Sequence, residues 1–446
     1  MIKVVGKIAI LAAATILAQD GLVPQLDVRT PPFSVDDATA VRRYWTPERL
    51  VAQSNRPYVA RQTVAGSEWL WNFQRRIGLG KSPAPDAVRP TPERLAEWQR
   101  WIDARYAFDL AVATEQARLL NAEPTAANPP VEPGPAPDDM VAAVGVPPIL
   151  ADLARPTEYR VQIESREYRY EDFVNVRPKY AYLRFNEGVI APGKPVKLMP
   201  AGELQALLAR AEISESQGRV FRAVSLLEGG FESVNTYDTG YLSVGFIQFA
   251  TLREGGHSLG EVLMDLEERE PTAFRLFFRR FGVDVNENGQ LHVVNLDTGD
   301  VLDGEAAVRA IIRDKRLTAV FQHAGEHCPE FRVSQLRVAK ARYFPADDEV
   351  LVNLASGPAR VRIGEIISSE AGLATLMDRK VNTGNYGPLA TYVQKVADAV
   401  QAAGPEAIRA HEFEIVERLK FRHAFLGDAS LSQPETPPRR VLSGRQ

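Results

Sequence analysis

Apolar side chains recur every three or four positions over most of the chain, which is the spacing of one helix face. Such patterns cover residues 200–227, 305–345, 363–380 and 387–425. Strand-like stretches are fewer: YRVQI and YAYLRF lie within 159–190, and short strands with Asn-Gly and Thr-Gly turns lie within 283–304. The pattern predicts an α+β protein that is mainly helical.

A separate helical pattern precedes these stretches. The pentapeptide TPERL occurs at 46–50 and again at 91–95. Each copy places Thr at a helix N-cap, Pro at the first helical position and Glu in the first turn. Leu95 and Trp98 then follow at helical spacing. We predict a small helical N-terminal module over residues 25–122.

Proline marks the next boundary. Eight prolines fall between Glu123 and Pro148, and proline fits neither a helix interior nor a central strand. We therefore predict an extended linker over 123–148, followed by the main domain over 149–429. The Pro- and Arg-containing tail at 430–446 is predicted to be disordered.

The N-terminus has the pattern of an export signal. Lys3 and Lys7 precede the apolar run 8–18, and Gln19 and Asp20 follow it. A basic start, a short apolar run and a small residue at its end are typical of a secretory signal peptide, here over 1–19. The run is too short to span a bilayer comfortably. A buried N-terminal helix is the alternative, but we expect a secreted or periplasmic protein without an integral membrane segment.

Composition narrows the function classes. The 53 Lys and Arg against 57 Asp and Glu give a net charge of −4, which argues against a nucleic-acid partner. A single cysteine, Cys328, excludes intramolecular disulfides and Cys-rich zinc modules. HAGEH at 323–327 lacks an identifiable third zinc ligand, and the calcium-like loop from Asp284 has Asn295 where a glutamate ligand belongs. We predict no metal and no cofactor.

The candidate chemistry lies in VFRAVSLLEGGFESVNTYDTGYLSVGFIQFA at 220–250. Val220, Val224 and Glu228 share one helical stripe, and Gly229 with its glycine neighbour ends the helix. Glu228 is therefore predicted on the apolar face of the last turn. Desolvation and the negative end of the helix dipole favour its protonated form there. A protonated carboxyl group can protonate a glycosidic leaving oxygen.

A second carboxyl group follows in the polar, turn-prone stretch 235–238, where we expect Asp238 to remain solvated and ionised. After Gly240, the run YLSVGFIQF alternates like a hairpin. One carboxyl group in an apolar setting and one in a polar setting, joined by a short loop, suit acid/base cleavage of a glycosidic bond.

Here the sequence resembles phage-type lysozymes. The matching residues, in order, are Glu228-Gly229, Tyr237-Asp238, Gly240-Tyr241, Ser243 and Gly245. The resemblance implies a two-lobed lysozyme-like fold with a small hairpin sheet and a sugar-chain cleft between the lobes. It also implies Glu228, Asp238 and Ser243 as the catalytic set, with Ser243 replacing the threonine of the family.

Goose-type lysozymes and soluble lytic transglycosylases share a related signature, which falls here on Glu228, Phe231, Ser243, Gly245 and Gln248. That resemblance implies Glu228 as the sole acid/base. A weaker similarity to phage muramidases lies at 377–387 and includes Asn382. The candidate sugar contacts are Asn235, Tyr237, Tyr241, Gln248 and Asn382.

The leading hypothesis is therefore an exported, monomeric peptidoglycan hydrolase of muramidase type, acting on the β-1,4 bonds of cell-wall glycan strands. Lytic transglycosylase and chitosanase-like activities are the enzymatic alternatives. A non-catalytic wall-binding or phage-particle structural protein is the alternative of another class. In that case Glu228 before two glycines is an ordinary helix end, and NTYD is an ordinary Asx turn.

Overall fold

The computed structural model describes residues 33–79, 83–124, 131–176, 181–226, 229–437 and 439–442. The predicted signal peptide at 1–19 lies outside these residues. Helices dominate and the sheets are small, which confirms the predicted α+β class. None of the helices within the described ranges is both long and apolar enough to cross a membrane.

The first part of the chain alternates between helices and short strands. Its elements are α1 (Val35–Tyr44), β1 (Leu50–Gln53), β2 (Val59–Gln62), α2 (Val64–Arg76), α3 (Pro92–Leu120), α4 (Asp138–Val144), β3 (Ala151–Ala154), β4 (Glu158–Ile163), β5 (Arg166–Glu171) and β6 (Ile190–Ala191).

The middle part carries the candidate chemistry. Its elements are α5 (Ala201–Arg210), α6 (Glu215–Ser225), β7 (Val234–Asn235), β8 (Ser243–Val244), β9 (Phe249–Ala250), α7 (His257–Arg269), α8 (Pro271–Phe277), β10 (Val283–Val285), β11 (Leu291–Val294), β12 (Val301–Asp303), α9 (Gly304–Arg313) and α10 (Lys315–His327).

The last part is mostly helical. Its elements are α11 (Pro329–Tyr343), β13 (Glu349–Leu354), β14 (Gly357–Arg362), α12 (Ile363–Ile366), α13 (Glu370–Thr383), α14 (Leu389–Val400), α15 (Pro405–Arg409) and α16 (Glu412–Leu419).

The chain forms two compact units whose boundaries differ from the predicted domains. The first unit comprises the described residues up to Ala191 together with 233–244 and 249–328. The second comprises 192–232, 245–248 and the described residues from Pro329 onward. The candidate segment 220–250 is therefore shared between the two units.

Strand pairing across the proline-rich stretch explains why 25–122 is not a separate module. In β1, Leu50 is the antiparallel partner of Val161 in β4, and in β2, Val59 is the partner of Ala154 in β3. Helix α3 packs on β2 and β3. The segment predicted to be wholly helical thus contributes two strands, whose partners lie about a hundred residues further along the chain. A local pattern gives little signal for such strands.

The predicted linker itself contains helix α4. Between Pro137 and Pro147 the chain is free of proline, and Asp138 and Asp139 favour a helix N-terminus. The core around α2, α3 and α4 excludes water from large aromatic and aliphatic side chains. It includes Trp69, Leu70, Phe73, Trp98, Ile102, Met140 and Leu150.

Two of the smaller strand predictions have different outcomes. Strands β10, β11 and β12 form the expected antiparallel meander, with Gly289 at φ +74° in its first turn. The strand prediction for YAYLRF is wrong over 181–185. The Arg184 N–H donates to the Tyr237 carbonyl at 2.8 Å, but a strand requires a repeating ladder of such bonds.

Four strands of two residues each form the sheet that carries the candidate site. The strands run in the order β6, β7, β8, β9, and all neighbours are antiparallel. Asn235 is paired with Ile190 on one side and with Ser243 on the other. Ser243 is also paired with Ala250. The register of this sheet fixes the residues on either side of the 236–242 turn.

The second unit confirms the predicted helices at 200–226 and adds elements that the sequence did not indicate. Helix α6 packs on α13, and α5 packs on α11. A hairpin of two six-residue strands, β13 and β14, separates α11 from α12. Part of the C-terminal stretch predicted to be disordered is packed here: Leu431 is buried, and the Ser432 carbonyl accepts from the Ala371 N–H at 3.1 Å. Composition missed this because the contacts are made largely by the backbone.

Trp98→Ala tests whether the N-terminal segment folds as part of the first unit. The indole is 3% exposed and donates to the Asp139 carboxylate at 3.3 Å. Its removal is expected to cost about 3–5 kcal/mol of unfolding free energy. Hydrogen exchange in the variant is expected to show lost protection in β1 and β4 together. The control Leu119→Ala, at an exposed position of the same helix, is expected to change little. Loss of hydrogen-exchange protection confined to residues before 123, with β4 fully protected, would contradict this account and support a separate N-terminal module.

Candidate active site

The predicted acid, Glu228, lies outside the described residues, as does Leu227. Helix α6 ends at Ser225, and the Gly229 N–H donates to the Ser225 carbonyl at 3.1 Å. Gly229 has φ +128°, a conformation that favours glycine. The helix is therefore predicted correctly as far as Ser225, but it ends before the two glycines and not at them.

The turn after β7 is built around the carboxyl group of Asp238. Its Oδ1 accepts from the Gly240 N–H at 2.8 Å, and its Oδ2 accepts from the Asn235 amide at 2.9 Å. The side-chain Oδ1 of Asn235 in turn accepts from the Tyr237 N–H at 3.1 Å. Asn235, predicted as a sugar contact, thus uses its side chain to hold the turn and Asp238.

Asp238 is half-buried, so the expectation that its carboxyl group stays in a solvated setting is wrong. Burial raises the pKa of this carboxyl group above its ordinary value. The hydrogen bonds from Gly240 and Asn235 and the positive charge of Arg184 act in the opposite direction, but they do not offset the loss of water. The polar residues of NTYD suggested a solvated turn, but their polar groups form hydrogen bonds within the turn.

Ser243 and Asp238 meet at Gly240. Ser243 is buried in β8. A Cβ atom added at Gly240 would lie 2.5 Å from the Ser243 Oγ and 3.1 Å from the Asp238 Oδ1. Any other residue at position 240 would displace one of these oxygens. The structure therefore brings together two of the three predicted catalytic residues, on one face of a glycine.

The two predicted tyrosine contacts flank this turn. Burial, together with the negative charge of Asp238, raises the pKa of Tyr237 to about 12. Tyr241 has φ +64°, and its ring meets that of Phe185 edge-on with centroids 5.0 Å apart. Both tyrosines are half-buried, so part of each side chain remains accessible to a ligand.

Arg184 is a site residue that sequence reasoning missed. Its Nη1 donates to the Ser67 hydroxyl at 3.2 Å and to the Ala181 carbonyl at 3.0 Å. Its guanidinium lies 5.7 Å from the centre of the Trp71 ring. Burial lowers the pKa of this arginine. The available signal was a lone cation in the apolar run YAYLRF; the contacts from α2 could not be read from the sequence.

Gln248 and the adjoining turn belong to the second unit. The Gln248 Nε2 donates to the Gly245 carbonyl at 3.0 Å. Gly245 has φ +86°, and a Cβ there would lie 2.1 Å from the Oε1 of Gln335. That buried glutamine, which the sequence analysis did not single out, donates to the Phe231 carbonyl at 2.9 Å. The glycine is required by the close approach of Gln335.

Asn382 lies near the end of α13 in the second unit. Its Nδ2 donates to the Asp378 carbonyl at 2.8 Å and to the Asp378 carboxylate at 3.2 Å. Asp378 is buried and forms an ion pair with Arg422 at 2.6 Å. These contacts give Asn382 a place in a helix-end network; they do not test its predicted role as a sugar contact.

Glu232 is a further carboxyl group that the sequence reasoning did not single out. It is 7% exposed, and its Oε1 accepts from the Lys194 N–H at 2.6 Å. The Gly230 N–H donates to the Pro192 carbonyl at 3.1 Å. A Cβ at Gly230 would lie 2.9 Å from the Glu232 Oε2. The turn that follows Glu228 in the sequence is therefore fixed to residues 192–194.

The two metal-like motifs have other structural roles. His323 is buried, and burial with nearby positive charge lowers its pKa to about 2; its Nδ1 lies 2.8 Å from the Tyr168 hydroxyl. Asp284 forms a buried ion pair with Arg279. Across the described ranges, no group of three or more His, Cys, Asp or Glu side chains is arranged to hold a metal ion.

Comparison with known protein families, with curated proteins and with solved structures gives no significant match.

Asp238→Asn tests the unfavourable burial of this charge. The folded-state pKa is raised above the 3.8 of a solvated aspartate, so the wild type loses stability relative to the variant as pH rises through the folded-state pKa. Unfolding free energies at pH 3 and pH 7 are expected to show the variant relatively more stable at pH 7. Asp36→Asn on α1 controls for the change in net charge. A difference that is equal at both pH values, or reversed, would contradict this account of Asp238.

Proposed function

We propose that the chain is a peptidoglycan hydrolase that cleaves the β-1,4 glycosidic bonds of cell-wall glycan strands by carboxyl acid/base catalysis. The observation that carries the proposal is the convergence of the Asp238 carboxyl group and the Ser243 hydroxyl at Gly240. They lie in the turn and strand where the resemblance to lysozymes calls for a carboxylate and a hydroxyl residue.

Each side chain has a distinct part in the proposed reaction. Glu228, ten positions before Asp238 in the sequence, donates the proton to the leaving sugar oxygen. Asp238 stabilises the positively charged transition state or activates water, and Ser243 orients that water. Because the pKa of Asp238 is raised, its ionised form requires a higher pH than a solvated aspartate does. On the acid side of the pH profile, activity is therefore expected to fall at a higher pH than it would with a solvated aspartate.

The surroundings of the turn suit a sugar ligand. Tyr237 and Tyr241 present partly accessible rings beside it, and aromatic faces with a few fixed polar groups are typical of ligand sites. Half-buried Arg184 adds a positive charge near Asp238, which favours ionisation of the carboxyl group. These groups all belong to the first unit.

The finer assignments belong to the same proposal. Four further parts of the proposal rest on the sequence. They are a lysozyme-like catalytic domain, the secretory signal at 1–19, delivery to the wall outside the cytoplasm and action as a monomer. The partner in this proposal is the glycan strand.

A lytic transglycosylase is the second candidate, and one observation favours it. Both oxygens of Asp238 accept hydrogen bonds within the turn, so this residue has a structural reason to be present. Glu228 would then act alone, and the product would be an anhydro-sugar formed without the addition of water.

Glu228→Gln tests the proposed acid. Glutamine keeps the shape of the side chain but cannot donate the proton, so clearing of a cell-wall suspension is expected to fall by at least about 100-fold. The melting temperature is expected to stay close to that of the wild type. Glu215→Gln, at an exposed position in the first turn of α6, is the matched control and is expected to remain active.

Three outcomes decide between the candidates. Clearing retained in Glu228→Gln would place the acid elsewhere. Loss of clearing in Asp238→Asn with unchanged folding supports the hydrolase, whereas retained clearing favours the transglycosylase. A wild-type protein that binds wall but releases no fragments would be a binding or structural protein.

A further inference from the structure

A basic cavity lies beside the C-terminal half of α6, in the second unit. Its volume is about 380 Å³. Its position is notable because Leu226, which lines it, stands two residues before Glu228 in the sequence. The lining combines cations, apolar groups and one acid: Lys197, Arg219, Arg222, Ala223, Leu226 and Asp428.

Arg219 forms part of the wall of this cavity. Its Nε lies 3.0 Å from both oxygens of Glu370, and its Nη2 donates to Oε1 at 2.6 Å. Glu370 is buried, and its Oε2 also accepts from the Ser432 N–H at 3.0 Å. The ion pair joins α6 to the start of α13 and neutralises the charge of Arg219. The hydrogen bond from Ser432 attaches the C-terminal segment to the same carboxylate.

The acid in the lining is also engaged. The Oδ1 of Asp428 accepts from the Ser430 N–H at 2.9 Å and from the Ser430 hydroxyl at 2.7 Å. Ser430 itself lines the cavity. The carboxylate of Asp428 is thus held within its own turn, with no ion pair to Lys197 or Arg222 in the described structure.

Two cations remain available to a ligand. Lys197 and Arg222 are exposed, and within the described ranges neither side chain forms a hydrogen bond or an ion pair. Leu226 beside them is 44% exposed and provides an apolar surface. Two cations next to an exposed apolar side chain suit a ligand that carries both carboxylates and methyl groups.

We propose that this cavity binds the acidic peptide attached to the sugar strand of the cell wall. The inference rests on the proposed function, because that function supplies a substrate with peptide branches. Such peptides carry free carboxylates, which Lys197 and Arg222 bind, and alanine methyl groups, which contact Leu226. A phosphate polymer would use the cations but would leave the apolar groups without a role. The cavity selects peptide-bearing strands over bare glycan.

The test compares full-length wild type with the double variant Lys197→Gln and Arg222→Gln. Each is assayed on intact peptidoglycan and on glycan strands stripped of peptide by an amidase. On intact wall we expect the double variant to raise KM about tenfold, with kcat changed less than about twofold, because charge-assisted hydrogen bonds to substrate are lost. On stripped strands we expect wild type and variant to be alike.

A matched control separates local binding from net charge. Lys395→Gln with Arg409→Gln removes the same charge from exposed positions of the second unit that do not line the cavity, and it is expected to match the wild type. A double variant that behaves like this control, or an equal rise in KM on both substrates, would overturn the inference.

A binding measurement separates this inference from the proposed function. The isolated acidic peptide, titrated into the full-length protein, is expected to bind wild type about tenfold more tightly than the double variant. Peptide binding without any wall cleavage would keep the cavity assignment and overturn the hydrolase. Wall cleavage without peptide binding would keep the hydrolase and overturn the cavity assignment. Equal competition by inorganic phosphate and by the peptide would also overturn it, because the apolar contacts would then contribute nothing.

Discussion

The Asp238 carboxyl group is held in its turn by hydrogen bonds to both of its oxygens. Gly240 donates to one oxygen and Asn235 to the other, while the register of β7 and β8 sets Asn235 against Ser243. Glycine at 240 leaves room for both the carboxyl group and the Ser243 hydroxyl. The candidate chemistry depends on this arrangement. It is obtained at the cost of burying a group that prefers water, which is why its pKa is raised.

The same turn depends on residues that precede the proline-rich stretch. Arg184, whose charge acts on Asp238, is held by the Ser67 hydroxyl of α2 and lies near Trp71. Helix α2 is in turn packed in the aromatic core that includes Trp98 and Met140. The N-terminal segment therefore supports the candidate site from within the first unit. The proposed chemistry depends on the correct folding of this segment.

Local signals in the sequence were sufficient for the helices and for part of the site. The apolar spacing predicted α6, although the helix ends at Ser225 and not at the two glycines, and the Asn-Gly turn predicted the meander. The helix-forming pattern could not reveal β1 or β2, because their partners lie far along the chain and their register is a tertiary property. The environment of Asp238 was misjudged for a related reason. Polar residues in a sequence indicate a turn, but only the fold decides whether their side chains face water or form hydrogen bonds within the turn.

Isotopic labelling of the cleavage products tests the central claim most directly. Wall digested by the full-length protein in water enriched in oxygen-18 is analysed by mass spectrometry. If Asp238 and Ser243 direct water to the sugar, each newly formed reducing end carries one labelled oxygen. Fragments that end in unlabelled anhydro-sugars, or the absence of released fragments, would contradict the account.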